Sequence, residues 1–519
     1  MPELHVSIAQ HYHERTKYMP ERLASQGRRL DFSQQPDPYK RYQLGTTVDL
    51  QPYLPAAPET DEPQAQQVWW QRLSKLLVDS YGLTAKLATA SGKPFYLRAA
   101  PSAGGLYPAE LYLISRGTSL LPAGLYNYQV RTHSLWRFWD DHVWQSLQAA
   151  CFWHPAFEKT HLALVMTAVF QRSAWRYEDR AYRRVFLDAG HLLGNLELAG
   201  SLSDYRPHVI GGFVDSAVNQ ILYLDEEQEG ALAVIALADL LKVEQNLPHG
   251  CTALPSSTQL DYPAIADGEL LTYLHQATCI DADVDYSALQ ARLKSTPASE
   301  SKAKSEDQYN FPFCLKIDTK TTPIDWGNAL EALEHTLLRR RSTRHYSGAD
   351  ISLNQLKQLL NFTYHPEGYR DQGIDTDPDY FDVNLIETFL AVSGVAGLDE
   401  GCYYYAPQAQ ELRQVRFKNF RSELHYLCLQ QPLGRDAAAV LFHTADLKKA
   451  VTRYGDRVYR YLHMDAGHLG QRLNLAAIRL GLGVSGIGGF FDNQVNEVLG
   501  IPADEAVLYI TTLGQPVRA

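Results

Sequence analysis

Arg340-Arg341-Ser342-Thr343-Arg344 packs three guanidinium groups and two hydroxyls into five residues. Guanidinium groups grip phosphate oxygens two at a time, and a nearby hydroxyl adds a further donor. A solvated charge run has the same composition, so both readings stand for this segment alone. Pro101-Ser102-Ala103-Gly104-Gly105 offers backbone amides and a hydroxyl in a tight loop. Such a loop suits a flat heteroaromatic ring, or is a plain turn. Gly486-Ile487-Gly488-Gly489 lets backbone approach a ligand closely. It follows Gly481-Leu482-Gly483-Val484-Ser485-Gly486, a literal match to the dinucleotide fingerprint G-x-G-x-x-G. That fingerprint needs a strand before it and a helix after it. Here a helical pattern ends at Leu480, so the order is reversed and Gly481 reads as a helix C-terminal glycine.

The elements that position these pieces come in two copies. Arg176-Tyr177-Glu178-Asp179-Arg180-Ala181-Tyr182-Arg183 returns as Arg453-Tyr454-Gly455-Asp456-Arg457-Val458-Tyr459-Arg460. Asp-Ala-Gly-His at 188–191 returns at 465–468, and Gly-Gly-Phe-x-Asp at 211–215 returns at 488–492, all 277 positions apart. The arginine segment occurs only in copy two, and Pro-Ser-Ala-Gly only in copy one. Leu73, Leu76 and Leu77 stand at helical spacing, matched by Leu356, Leu359 and Leu360 at an offset of 283. The offset is back to 277 by Pro101 and Pro378, so copy two is six residues shorter in the stretch just before copy one's Pro-Ser loop.

Strands are expected at 110–114 and 387–392, in the Gly-x-Tyr-x-Tyr runs 124–128 and 401–405, and at 162–170. A helix is expected from Asp188 and again from Asp465, and a helical stretch from Ala329 to Leu338 precedes the arginines. This is α+β order, not regular βαβ alternation. The expected organisation is an N-terminal arm (1–65), a first domain (66–241), a partly mobile linker (242–325) and a second domain (326–519). Within the linker, Ser295 to Gln308 is polar and poor in apolar residues. A chain of 519 residues suits two such units.

Composition excludes several classes. The net charge of −11, with no basic tract, argues against a sequence-independent nucleic-acid surface. Six scattered cysteines without a C-x-x-C pair suggest neither a zinc site nor a disulfide framework. The longest apolar runs, near 162–170 and 231–241, are too short to span a bilayer. A cytoplasmic protein with no membrane segment and no metal is the expectation. His11 and His13 could ligate a metal, but positions i and i+2 face apart on a helix.

Taken together, Arg-Arg-Ser-x-Arg at 340–344, Arg-x-x-Pro-Ser-Ala-Gly-x-x-Tyr-Pro at 98–108, the Asp-Ala-Gly-His segments and Gly-Leu-Gly-x-x-x-Ile-Gly-Gly-Phe at 481–490 resemble the nitroreductase superfamily. The branch resembled is that of bacterial SagB-type dehydrogenases, including azoline oxidases, over roughly 66–240 and 328–519. The resemblance implies two FMN-binding α/β sandwich domains fused as an intrachain pseudo-dimer. It implies that Arg340, Arg341, Ser342, Arg344, Gly486, Ile487, Gly488, Gly489 and Arg518 of copy two hold the FMN phosphate and ribityl chain. Pro101, Ser102, Ala103 and Gly104 of copy one would cover the ring.

The crossed combination offers Ala57 to Glu62 and Pro378-Asp379-Tyr380-Phe381 instead, so one FMN per chain is expected. The family's Lys-Tyr pair corresponds to Arg176-Tyr177 and Arg453-Tyr454. Arginine stays charged and is a poor base, which leaves Tyr177 or Tyr454 as proton-handling candidates beside a packing role for both.

The expected activity is hydride transfer between a small-molecule or peptide substrate and flavin N5, with dehydrogenation of peptide azolines beside a cyclodehydratase partner. An NAD(P)H-dependent nitro- or quinone-type reductase is the alternative. A flavin-free peptide- or partner-binding scaffold is the alternative from another class. Higher oligomers of the pseudo-dimer remain open.

Overall fold

The computed structural model describes residues 6–21, 30–54, 63–88, 92, 94–243, 252–283, 286–287 and 307–517. Arg518 and the stretch 57–62 singled out above lie outside them, as does most of 295–308.

From the arm and copy one come β1 (Thr46–Asp49), β2 (Leu83–Leu87), β3 (Phe95–Arg98), β4 (Ala109–Ser115), β5 (Gly124–Gln129), β6 (Ser134–Trp139), β7 (Leu162–Val169), β8 (Tyr205–Ile210) and β9 (Glu229–Asp239). From the connection and copy two come β10 (Lys316–Asp318), β11 (Ile351–Ser352), β12 (Glu387–Val392), β13 (Val395–Ala396), β14 (Gly401–Ala406), β15 (Glu411–Arg416), β16 (Ala439–Asp446), β17 (Gly483–Ile487) and β18 (Glu505–Gly514). Two seven-stranded antiparallel sheets result, in the orders β1-β6-β5-β4-β7-β9-β8 and β10-β15-β14-β12-β16-β18-β17. Strand for strand, the second order repeats the first. Each sheet takes its outermost strand, β1 or β10, from the segment ahead of its copy. The arm and the connection are thus stitched into the two domains.

Helices α1 (Ile8–Arg15), α2 (Gln64–Tyr81), α3 (Ala181–Leu202), α4 (Glu331–Arg339), α5 (Leu353–Tyr364) and α6 (Val458–Arg479) position the site. Leu73, Leu76 and Leu77 form the buried stripe of α2, and Leu356, Leu359 and Leu360 that of α5. Ser352 starts α5 with a capping box closed by Gln355. Nearly every residue of α3 and α6 is buried, as expected of helices enclosed on all sides. Both begin at 181 and 458, seven residues ahead of the aspartates where the sequence pattern placed them. No helix among the described residues is long and apolar enough to cross a membrane.

The repeated motifs are the fastening between the copies. Gly190 and Gly467, the glycines of the two Asp-Ala-Gly-His segments, meet where α3 crosses α6. A Cβ on Gly190 would overlap the Met464 carbonyl oxygen, and one on Gly467 the Leu187 carbonyl oxygen. Arg180 and Arg183 of copy one pair with Asp492 of copy two at 3.0 and 2.7 Å. Reciprocally, Arg457 and Arg460 pair with Asp215 at 2.6 and 2.7 Å. All six groups are buried, and each carboxylate is neutralised by two guanidiniums, as buried charge requires.

Candidate functional site

The arginine segment is the exit of α4. Thr343 joins it to β17, donating its N–H to the Val484 carbonyl at 2.8 Å and accepting the Val484 N–H on Oγ1 at 3.0 Å. Arg340 reaches across to copy one, where its Nε donates to the Ala99 carbonyl at 2.6 Å. Its Nη1 is buried with no partner, and burial lowers its pKa to about 10. Arg341 donates from Nη2 to the Thr84 carbonyl at 2.8 Å and from Nη1 to Thr84 Oγ1 at 3.0 Å. Thr84 belongs to the β2–β3 hairpin, which fills the stretch where copy two is shorter. Arg344 is exposed and has no carboxylate partner among the described residues.

Across from this loop lies the Pro-Ser segment. Asp188 of α3 accepts the Ala103 N–H at 3.0 Å and so fixes the loop. Ser102 Oγ accepts the Tyr107 N–H at 2.8 Å. Together with Gly486 to Gly489, these parts enclose a cavity of about 860 Å³. Pro101, Ser102, Ala103, Gly104, Arg340, Arg341, Ser342 and Arg344 all line it. Two halves of one chain therefore build one chamber.

Tyr177 lines this cavity and Tyr454 does not. Tyr454 instead donates its hydroxyl to Asp382 at 3.0 Å, beside an Arg453–Asp382 pair at 3.0 Å. Several lining residues were not legible in the sequence: Tyr18 from the arm, Arg184 and His191 from α3, Asn474 from α6 and Tyr509 from β18. The Tyr509 hydroxyl is 2.8 Å from His191 Nε2. Burial lowers the His191 pKa to about 3, so the ring is neutral. A Cβ on Gly486 would overlap the Tyr509 hydroxyl, which gives this glycine a steric reason of its own.

The crossed combination is filled by the protein itself. Asp379 accepts the Val209 N–H at 2.9 Å and pairs with Arg206 at 3.1 Å. Arg206 also donates to the Asp377 carbonyl at 2.7 Å. Val209 and Arg206 stand 277 positions before Gly486 and Gly483, so an internal carboxylate lies against β8, the counterpart of the glycine-rich strand of copy two. The Phe381 ring covers Gly211, and Leu254 covers Gly212.

Asp188 and Asp465 are matched buried carboxyls, each pushed up to about 7 by burial. Unfolded, they ionise near pH 4. Folding therefore takes up protons between about pH 4 and about pH 7. Their contribution to stability is full below that window and is lost as pH rises through it. The doubly substituted Asp188→Asn, Asp465→Asn protein is expected to show a flatter fall in urea-unfolding free energy across the window, by up to about 1.4 kcal/mol per pH unit for each group. An unchanged slope would reject this assignment.

The chain matches the nitroreductase family over residues 72–238 and 337–515. A crystal structure from Anabaena variabilis, itself described as a nitroreductase, is 64% identical and superposes with a TM-score of 0.92, covering 99% of this chain and 100% of that one. MJ1384 of Methanocaldococcus jannaschii, also described as a nitroreductase, is 34% identical over 187 residues, which are 36% of this chain and 92% of that protein. The microcin B17-processing protein McbC of Escherichia coli is 28% identical over 146 residues, 27% of this chain and 53% of McbC. The trifolitoxin-processing protein TfxB of Rhizobium leguminosarum is 30% identical over 151 residues, 27% of this chain and 39% of TfxB. The aligned segments thus span about half of McbC and less of TfxB. This chain is a member of the nitroreductase family, built as an α+β tandem fusion of two nitroreductase-like domains.

Proposed function

We propose that this family oxidoreductase works with one FMN per chain, held in the cavity between the copies. The observation that carries the reading is the convergence of the basic loop of copy two and the Pro-Ser loop of copy one on a single chamber. The residues fit such a group. Arg340 Nη1 is buried without a partner, and Arg344 lacks a protein carboxylate among the described residues. Arg341, Ser342 and Arg344 would hold the phosphate, and Gly486 to Gly489 would flank the cofactor. The amides of Ser102 to Gly104 would face its ring, and Arg518 would add a further cation. When bound, the flavin supplies hydride acceptance or donation at N5.

The chain's own part is orientation, exclusion of water and proton handling. Tyr177, whose hydroxyl stands 2.8 Å from where a Cβ on Gly104 would lie, is the candidate proton carrier. Tyr454 is committed to Asp382 outside the cavity and would serve the fold. Likeness to McbC and TfxB supports dehydrogenation of a peptide azoline, in company with a cyclodehydratase.

The test is the visible spectrum and the bound-flavin ratio of purified protein supplied with FMN. A ratio near one is expected. A ratio near two would reject the pairing of halves, and no uptake would favour a flavin-free scaffold. Arg341→Ala removes both a phosphate donor and the Thr84 clasp. It is expected to weaken flavin retention about tenfold or more, read by ultrafiltration.

A further inference from the structure

Five arginines and one carboxyl line the cavity of a chain whose net charge is −11. Three of the arginines belong to the 340–344 loop. The other two, Arg176 and Arg184, come from copy one. Arg176 lies beside the Pro-Ser loop, 3.3 Å from where a Cβ on Gly104 would stand, and Arg184 lies 2.9 Å from the equivalent point on Gly488. Their neighbours Arg180 and Arg183 are neutralised by Asp492. Arg176 and Arg184 have no such carboxylate within ion-pair range among the described residues. The carboxyl facing them in the cavity, Asp188, is engaged by Ala103 and held up to about 7 by burial.

Arg184 is buried, and its Nε has no hydrogen-bond partner. Its guanidinium lies over the Tyr177 ring at 3.7 Å and donates from Nη2 to the Tyr18 hydroxyl at 3.1 Å. The Arg184 guanidinium over the Tyr177 ring puts a buried positive charge on the wall of the chamber. Desolvated cations of this kind favour an incoming anion far more than exposed ones do.

We propose that Arg176 and Arg184, with Tyr18 and Tyr177, form a subsite for an organic anion: a carboxylate or phosphate carried next to a flat ring on the substrate. The inference rests on the flavin reading, in which the Pro-Ser loop marks the ring end and the phosphate is met by the 340–344 loop. The two copy-one arginines then face substrate. In a peptide, the anion would be an acidic side chain or a terminal carboxylate beside the reacting ring.

Calorimetric titration of the full chain with benzoate, phenyl phosphate and neutral benzamide tests this, with flavin content measured on the same samples. Either anion is expected to bind about tenfold more tightly than benzamide. The stronger of the two identifies carboxylate or phosphate as the group received. Arg176→Gln, an exposed position that leaves the core intact, is expected to remove most of that preference while flavin content is unchanged. Arg184→Lys keeps charge but not the stacked plane and should lose part of it. Equal binding of anions and benzamide, or a preference that survives in Arg176→Gln and Arg184→Gln alike, overturns the proposal. Absence of flavin is read separately and bears on the flavin reading.

Discussion

Replacement of Gly190 by leucine is expected to leave the chain without a stable folded form. The Cβ alone would overlap the Met464 carbonyl oxygen and approach Gly467 Cα to 2.9 Å, and neither is a side chain that can turn away. To admit it, α3 and α6 must separate. That would loosen the buried Arg180–Asp492 and Arg457–Asp215 pairs on either side of the crossing. Overpacking plus unpaired buried charge costs on the order of 4–5 kcal/mol or more, comparable with the whole stability of many domains. The soluble fraction after expression and the urea midpoint read the effect. Gly268→Ala is the control: it has positive φ but open space around its Cβ, and it should cost only about 1 kcal/mol. If Gly190→Leu tolerated urea as well as Gly268→Ala, close contact would not be what joins the copies.

Arg344→Glu is expected to abolish flavin retention without unfolding the protein. Arg344 is exposed, so the fold loses little. At the proposed phosphate position, however, a charge-assisted donor becomes a repelling carboxylate. The loss of about 3 kcal/mol corresponds to roughly a hundredfold weaker binding, and the purified protein should be colourless with the thermal midpoint of flavin-free wild type. Arg453→Ala removes a guanidinium from the crossed side, where Asp382 already engages it, and should keep the colour. Equal loss in both variants would mean that the halves are paired wrongly.

Much of this arrangement was legible because the chain carries its own comparison. Setting Pro101 to Gly104 beside Pro378 to Phe381 showed which copy carries the Pro-Ser loop, the lone arginine segment did the same for the basic loop, and both line the cavity. The strand at 387–392 was readable as a continuous apolar run, since both its faces are covered, and that at 401–405 from its alternating tyrosines. Gly481 does end the long helix, with φ of +73°, and β17 follows it, so the apparent dinucleotide fingerprint runs from helix to strand.

What escaped has physical causes. The starts of α3 and α6 were placed seven residues late because Arg180, Arg183, Arg457 and Arg460 interrupt the apolar pattern there. Their partners, Asp492 and Asp215, lie hundreds of residues away, and no local pattern announces a buried ion pair. Tyr18 reaches the cavity because α1 lies against both halves, with Ala9 N–H bonded to Asp456 of copy two and the His13 carbonyl accepting from Arg183 of copy one. Arg184, His191 and Tyr509 are interior positions of regular elements, where periodicity predicts burial but not which cavity the side chain meets.

The crossing of α3 over α6 also has a consequence for behaviour at low abundance. A chamber shared by two separate subunits would come apart on dilution, since its assembly depends on the concentration of protomers. Here the two walls are tethered, so each meets the other at an effective concentration set by the chain itself. Occupancy of the chamber then depends on how much ligand is present, and a few copies per cell are as well assembled as a concentrated solution.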